Sequence, residues 1–259
     1  MTTRLFSPPY SAYAAIYDQI GQRAFGERLA RVILQLLAAR SIQPRSVLDL
    51  ACGTGAATLT FACAGLRATG VDRSPQMLER AIEAARLSDA EVAFREGDIT
   101  DPPLDSKVDL VTCLYDAVNY LDDDASVHRF LQGAYRALDD GGVLVFDLNT
   151  RSRLMSSWEQ GLVLAANSPD LYVTYQSWFD KAIDASPLIM TAFVRSEDGR
   201  WDRFDEEHVE RAWPIATIES WLREAGFRAL ETMGYIDSTG ELLRPVSEDY
   251  GRVLFVAAR

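Results

Sequence analysis

The stretch Val47-Leu48-Asp49-Leu50-Ala51-Cys52-Gly53-Thr54-Gly55 passes from an apolar run through an acid into two glycines, and a helical pattern follows directly. Such a segment predicts a buried strand over Ser46–Leu50, a glycine turn and a helix over Thr54–Ala64. Glycine lets the backbone come close to a ligand where a side chain would collide, so the turn is a candidate binding element as well as a corner. A tight turn with no ligand is the alternative reading.

Outward from this stretch, apolar runs alternate with helical patterns, which is the signature of a parallel α/β sheet. Upstream, Leu29, Val32, Ile33, Leu36 and Leu37 stand at helical spacing within Glu27–Ala39, and Pro44 ends the pattern. Downstream, strands are predicted at Arg67–Val71, Val92–Glu96, Val108–Cys113 and Val143–Leu148, with helices at Ser74–Arg86 and Ser126–Ala137. Ser74-Pro75 suits a helix start, a capping hydroxyl followed by proline in the first turn. From Leu171 to Val194 the texture changes to Tyr172, Val173, Tyr175, Trp178, Ile189, Thr191, Phe193 and Val194, which favour antiparallel strands. A helix at Ile215–Glu224 and strands at Leu230–Tyr235 and Arg252–Ala257 resume the first pattern. The expected architecture is a doubly wound, mostly parallel seven-stranded sheet from residues 1–150 and 215–259, with an antiparallel β cap inserted at 151–214.

Composition narrows the function. The chain has 259 residues, 48% of them hydrophobic, and a formal net charge of -12. That charge opposes phosphate backbones, so nucleic acid is not the expected partner. No apolar run reaches the roughly 20 residues of a membrane span, and the start MTTRLFSPPY lacks the order of a secretory leader. Three cysteines, Cys52, Cys63 and Cys113, form neither a zinc pattern nor a disulfide framework, so a reducing, cytoplasmic setting is expected. No metal site is expected, and a homo-oligomer is compatible with the sequence.

Three acids stand near successive predicted strand ends: Asp49, Asp72 in Gly70-Val71-Asp72, and Asp98 in Glu96-Gly97-Asp98-Ile99. In open α/β sheets ligands bind outside the carboxyl ends of the strands. Asp72 lies about 20 residues beyond the glycine turn, where a carboxylate grips a ribose diol in nucleoside-binding folds. It could equally cap the helix starting near Ser74, and Asp98 could simply form a turn. A dinucleotide site is disfavoured: Thr58 stands where the pyrophosphate fingerprint wants its third glycine, and Asp49 would repel a pyrophosphate but welcome an ammonium group.

Together, Val47 to Gly55, Gly70-Val71-Asp72-Arg73-Ser74-Pro75-Gln76-Met77-Leu78, Gly97-Asp98-Ile99 and Asp109-Leu110-Val111 resemble the successive motifs of class I S-adenosylmethionine-dependent methyltransferases, over about half of the chain. The resemblance implies S-adenosylmethionine as cofactor, with Asp49, Ala51, Cys52, Gly53 and Gly55 around its methionine part. It implies Asp72 on the ribose, Met77 beside the adenine and Asp98-Ile99 at the adenine edge, with Tyr17, Arg73, Gly97 and Cys113 as further cofactor-binding candidates. Tyr10, Tyr13 and Tyr17-Asp18 resemble the element that closes over the cofactor in small-molecule members, although their helical spacing also suits a packed face.

The expected activity is methyl transfer to nitrogen or oxygen of a small-molecule acceptor; a cofactor-binding protein that has lost transfer is the alternative. The stretch Cys113 to Tyr120 follows the fourth strand, where Tyr115, Asp116 and Asn119 are candidates to orient the acceptor and Asp116 to take its proton or to cap a helix. Asn149, after the next strand, is a candidate lining residue. Of two histidines, His128 reads as a surface residue and His208, within the acidic stretch Asp202–Glu210, as a base reaching in from the cap. Trp158, Trp178, Trp201 and Trp213 would either wall an aromatic pocket or fill the cap's core.

Overall fold

In the computed structural model, which describes residues 6–158 and 161–259, the chain forms two sheets. Strands β1 (Ser46–Leu50), β2 (Arg67–Asp72), β3 (Val92–Glu96) and β4 (Val108–Cys113) are parallel neighbours, joined by β5 (Leu138–Asn149). Antiparallel β12 (Arg252–Ala258), β10 (Arg228–Tyr235) and the two-residue β11 (Leu242–Leu243) complete the sheet. The order is β3-β2-β1-β4-β5-β12-β10-β11. This is the predicted mostly parallel sheet of seven strands with a short edge strand added.

The helices are α1 (Gln22–Ala38), α2 (Ala56–Cys63), α3 (Pro75–Leu87), α4 (Asp124–Ala137), α5 (Arg151–Trp158) and α6 (Ile215–Glu224). Most of the sheet is sandwiched between two apolar layers. Phe25, Leu29, Ile33, Leu37 and Phe61 of α1 and α2 cover one face, and Phe130, Leu131, Ile218 and Leu222 of α4 and α6 cover the other. Strand β1 is buried at every position, which is why its apolar residues Val47, Leu48 and Leu50 do not follow a two-residue alternation. Ser74 caps α3, its hydroxyl accepting from the Met77 amide at 3.2 Å, and Asp123 caps α4 by accepting from Ser126 at 2.7 Å.

The inserted segment is a four-stranded antiparallel sheet, β6 (Leu162–Asn167), β7 (Leu171–Ser177), β8 (Ala185–Arg195) and β9 (Trp201–Arg211). It is larger than Leu171–Val194, because the acidic stretch is itself strand β9. There Glu206, His208 and Glu210 are buried while Glu207 and Val209 are exposed, the two-residue alternation of a half-buried strand. The amino-terminal Tyr13 and Ile16 pack on Leu171, Val173, Met190 and Ala192 of this sheet. Asn119 then ties insert to core: its Nδ2 donates to the carbonyls of Asn149 (3.0 Å) and Arg211 (2.8 Å), and its Oδ1 accepts from the Asn149 amide (2.9 Å).

Candidate active site

The first element is the bend after β1. Ala51, Gly53 and Gly55 all have left-handed backbone, with φ of 54°, 55° and 80°. A Cβ built on Gly53 meets nothing within 4 Å, so a side chain there would project into open cleft as well as strain the turn. At Gly55 a Cβ would lie 3.0 Å from the Phe94 ring and 3.1 Å from Ala81, so this glycine supports the bend from behind.

Carboxylates surround the space the bend leaves open. Asp72 Oδ2 accepts from the Gly53 amide at 2.8 Å and its Oδ1 from the Ser74 amide at 2.9 Å, so the acid is locked in place without a protein cation paired to it among the described residues. Asp49 accepts from the hydroxyls of Thr58 (2.6 Å) and Thr112 (2.7 Å), and burial pushes its carboxyl up to about 6. Asp98 accepts from the Thr100 amide at 2.8 Å and its hydroxyl at 2.7 Å, forming the expected turn at the rim. All three line one cleft of about 1010 Å³, together with Ala51, Cys52, Gly53, Arg73, Met77, Gly97, Ile99 and Tyr17. The buried acids, the glycine edge and the apolar Met77 and Ile99 fit a cationic nucleoside such as S-adenosylmethionine.

Beside the cleft lies a chamber of about 780 Å³ that shares Tyr10, Tyr17, Gln22, Tyr115 and Tyr120 with it as lining. Tyr10 donates to Tyr120 Oη at 2.8 Å, Tyr13 and Tyr175 hydroxyls meet at 2.9 Å, and the Tyr10 and His208 ring centres are 4.9 Å apart. Burial raises the Tyr10, Tyr17 and Tyr120 phenols well above their ordinary range, keeping them as neutral O–H groups. The amino-terminal segment carrying Tyr10 and Tyr17 is pinned as a roof. Asp18 accepts from Thr54 at 2.7 Å, the Tyr10 carbonyl accepts from Ser74 at 2.7 Å, and buried Glu206 accepts from the Tyr10 and Tyr13 amides at 2.7 and 2.8 Å.

A buried charge network underlies the chamber. The Arg252 guanidinium pairs with Asp116 and Asp237, both at 2.9 Å, and with Asp147. Burial works against the Arg252 charge, but the three carboxylates together hold its pKa above the usual arginine value. Asp147 accepts in turn from the Tyr115 amide at 2.6 Å and the Asp116 amide at 3.1 Å. These bonds hold Tyr115 and Asp116 in left-handed conformations, with φ of 64° and 56°. Asp116 faces the chamber but does not cap the following helical turn through its side chain.

The predicted residues therefore divide. Tyr115 lines both spaces, and Asp116 and His208 line the chamber. Asn119 and Cys113 are fully buried and line neither, the first spent on backbone bonds and the second packed in the core beside Leu48 and Val111. Gly55 acts from behind the cleft. Tyrosine rather than tryptophan walls the chamber: Trp213 is core, Trp178 and Trp201 are exposed, and the Trp158 side chain lies outside the described residues. Glu210, Arg153 and Arg252 line the chamber without having been singled out, and Asn149 does so as expected. Glu210 was legible in the two-residue spacing of Glu206, His208 and Glu210; Arg252, separated by 105 residues from Asp147, carried no local signal.

Comparison with known proteins agrees with this geometry. Residues 47–142 match the family described as methyltransferase domain. A solved S-adenosylmethionine-dependent methyltransferase from Clostridium acetobutylicum superposes with a TM-score of 0.81 at 25% identity, covering 95% of this chain and 97% of that one. The chain belongs to the class I S-adenosylmethionine-dependent methyltransferases. Among relatives, a methyltransferase of Geobacillus sp. is 29% identical over 251 residues, 96% of this chain and 99% of its own length. The dTDP-4-amino-2,3,4,6-tetradeoxy-D-glucose N,N-dimethyltransferase of Saccharopolyspora spinosa is 32% identical over 147 residues, covering 56% of this chain and 57% of that protein.

Proposed function

We propose that this protein transfers a methyl group to nitrogen or oxygen of a small-molecule metabolite seated in the tyrosine-walled chamber. One observation carries the reading: the acid-lined cleft and the inner chamber share Tyr10, Tyr17, Tyr115 and Tyr120 as walls, so a donor in one faces an acceptor in the other. Bound S-adenosylmethionine supplies an already activated methyl group. The chain's own residues then need to align the acceptor and keep water out, and such alignment contributes about 7–11 kcal/mol in favourable cases. Asp72 holds the nucleoside end, Tyr115 and Tyr120 shape the passage, and the roof of Tyr10 and Tyr17 closes it. The Saccharopolyspora relative, a dTDP-amino-sugar N,N-dimethyltransferase, supports a metabolite-sized acceptor. Among the described residues no helix is long and apolar enough to cross a membrane. The three cysteines are free thiols, which supports action in a reducing compartment such as the cytoplasm.

Calorimetric titration with S-adenosylhomocysteine tests the cofactor half. Hydrogen bonds to a charged partner contribute about 1.5–3 kcal/mol each, so Asp72→Ala is expected to weaken binding ten-fold or more. Undiminished binding by a folded Asp72→Ala protein would refute this placement. Acceptor-dependent turnover in a screen of amine and hydroxyl metabolites separates an enzyme from a binding partner that has lost transfer.

A further inference from the structure

We propose that the inner chamber is an ammonium seat, taking a small amine in its protonated form, with Glu210 as the group that receives the proton before the nitrogen is methylated. This rests on the methyltransferase reading above and names the acceptor class and proton acceptor of the same site.

Charge accounting carries the argument. Beneath and beside the chamber lie five buried or half-buried carboxylates, Asp116, Asp147, Glu206, Glu210 and Asp237, against two guanidiniums, Arg252 and Arg153, and His208, which meets Glu206 at 3.3 Å. Arg252 is spent on Asp116, Asp147 and Asp237, and Arg153 pairs with Asp237 at 3.1 Å. Glu210 is the acid left without an ion pair among the described residues; it accepts a hydrogen bond from Asn149 Nδ2 at 2.7 Å. Asn149 lines the same chamber, and its Oδ1 is buried with no hydrogen-bond donor. A cation entering here meets a carboxyl group bonded to no guanidinium among the described residues and a lining of neutral tyrosines, whose rings attract cations. A hydroxyl acceptor would gain none of the charge terms.

The proton chemistry matches. Burial, then the facing Asp116, pushes the Glu210 carboxyl up to about 8, with Arg252 and Arg153 opposing the rise. His208, with Glu206 behind it, and Tyr10, Tyr13, Tyr17, Tyr115, Tyr120 and Tyr175 are the other titratable groups lining or backing the chamber. A lysine-like alkylammonium loses its proton at about 10.4, so transfer to Glu210 crosses a small gap and not the much larger one an alcohol presents. In balance, one N–H bond breaks and its proton passes to a Glu210 oxygen. The freed nitrogen pair then bonds the methyl carbon as the carbon–sulfur bond breaks, leaving that electron pair on sulfur.

The test uses intact protein saturated with S-adenosylhomocysteine, titrated at pH 7 with methylammonium, cyclohexylammonium or trans-4-aminocyclohexanol. Methanol, cyclohexanol and cyclohexane-1,4-diol serve as neutral partners. Glu210 is largely protonated in the free protein at that pH, so seating a cation expels its proton to the buffer. Expected are binding of at least one amine ten-fold or more tightly than its neutral partner, and net proton release seen by repeating the titration in buffers of different ionisation heat. Glu210→Gln should lose both while keeping its affinity for S-adenosylhomocysteine. No amine preference in the wild type, or a preference and proton release that survive in Glu210→Gln, would overturn the inference while leaving the cofactor site standing. Failure of S-adenosylhomocysteine itself to bind would overturn the cofactor reading and this inference with it.

Discussion

Replacing Asp147 by Asn probes how the bend after β4 is held in shape. Tyr115 and Asp116 are consecutive non-glycine residues with φ of 64° and 56°, and left-handed backbone costs about 1–2 kcal/mol per residue. The pair therefore stores about 2–4 kcal/mol that something must offset. Asp147 does so, with Oδ1 accepting from the Tyr115 amide and Oδ2 from both the Asp116 amide and the Arg252 guanidinium. Every one of these partners is a donor. In Asp147→Asn one oxygen becomes an NH2, so a donor faces a donor whichever way the amide turns. Breaking one side of a buried ion pair costs about 3–5 kcal/mol, and this overlaps with losing a charge-assisted hydrogen bond instead of adding to it. The expected loss is about 3–5 kcal/mol of unfolding free energy, or a Tm lower by about 6–20 °C at 2–4 °C per kcal/mol. Urea unfolding and scanning calorimetry measure it. Because Tyr115 walls both cleft and chamber, affinity for S-adenosylhomocysteine should fall in parallel. A substituted protein melting within about 2 °C of the wild type would show that Asp147 does not restrain the bend.

Three further outcomes follow from the geometry. Gly53→Ala should lose about 1 kcal/mol of stability from the left-handed turn but considerably more cofactor-product affinity, since its methyl enters the cleft; equal losses in unfolding and calorimetry would contradict that. Asn119→Ala removes three bonds, two of them buried, joining β5, β9 and the turn after β4, and should cost about 2–4 kcal/mol in urea unfolding, with a loss below about 0.5 kcal/mol counting against the role assigned to it. Glu210 has its pKa raised on folding from 4.5 to about 8, so the unfolded chain binds fewer protons between those values and wild-type stability declines as pH rises through them. The Tm advantage of Glu210→Gln should thus widen from pH 5 to 8 and then level off; a constant difference across that range would refute the assigned burial effect.

Much of the site was legible in the chain because it is built from local segments. Asp49, Asp72 and Asp98 each lie at or within two residues of a strand's end, and a parallel sheet brings consecutive strand ends to one edge whatever the details of packing. The inner chamber was less legible, because its walls come from the amino-terminal segment, the turn after β4, β9 and β12, which meet only after the insert folds back. Asn119 illustrates the difficulty. Its position after β4 suggested contact with an acceptor, but its side chain is consumed in joining backbone segments distant in sequence.

The amino-acid sequence by itself determined the wound sheet, the glycine bend and the ordered acids, because apolar periodicity and turn chemistry act within a few residues of chain. Only the tertiary structure decided which charges are compensated. Arg252 comes from the last strand to pair with Asp116, Asp147 and Asp237, while Glu210, brought in on the insert, is left without an ion pair among the described residues. Coulomb interaction and desolvation depend on distance and burial in space, and neither is written in the order of residues.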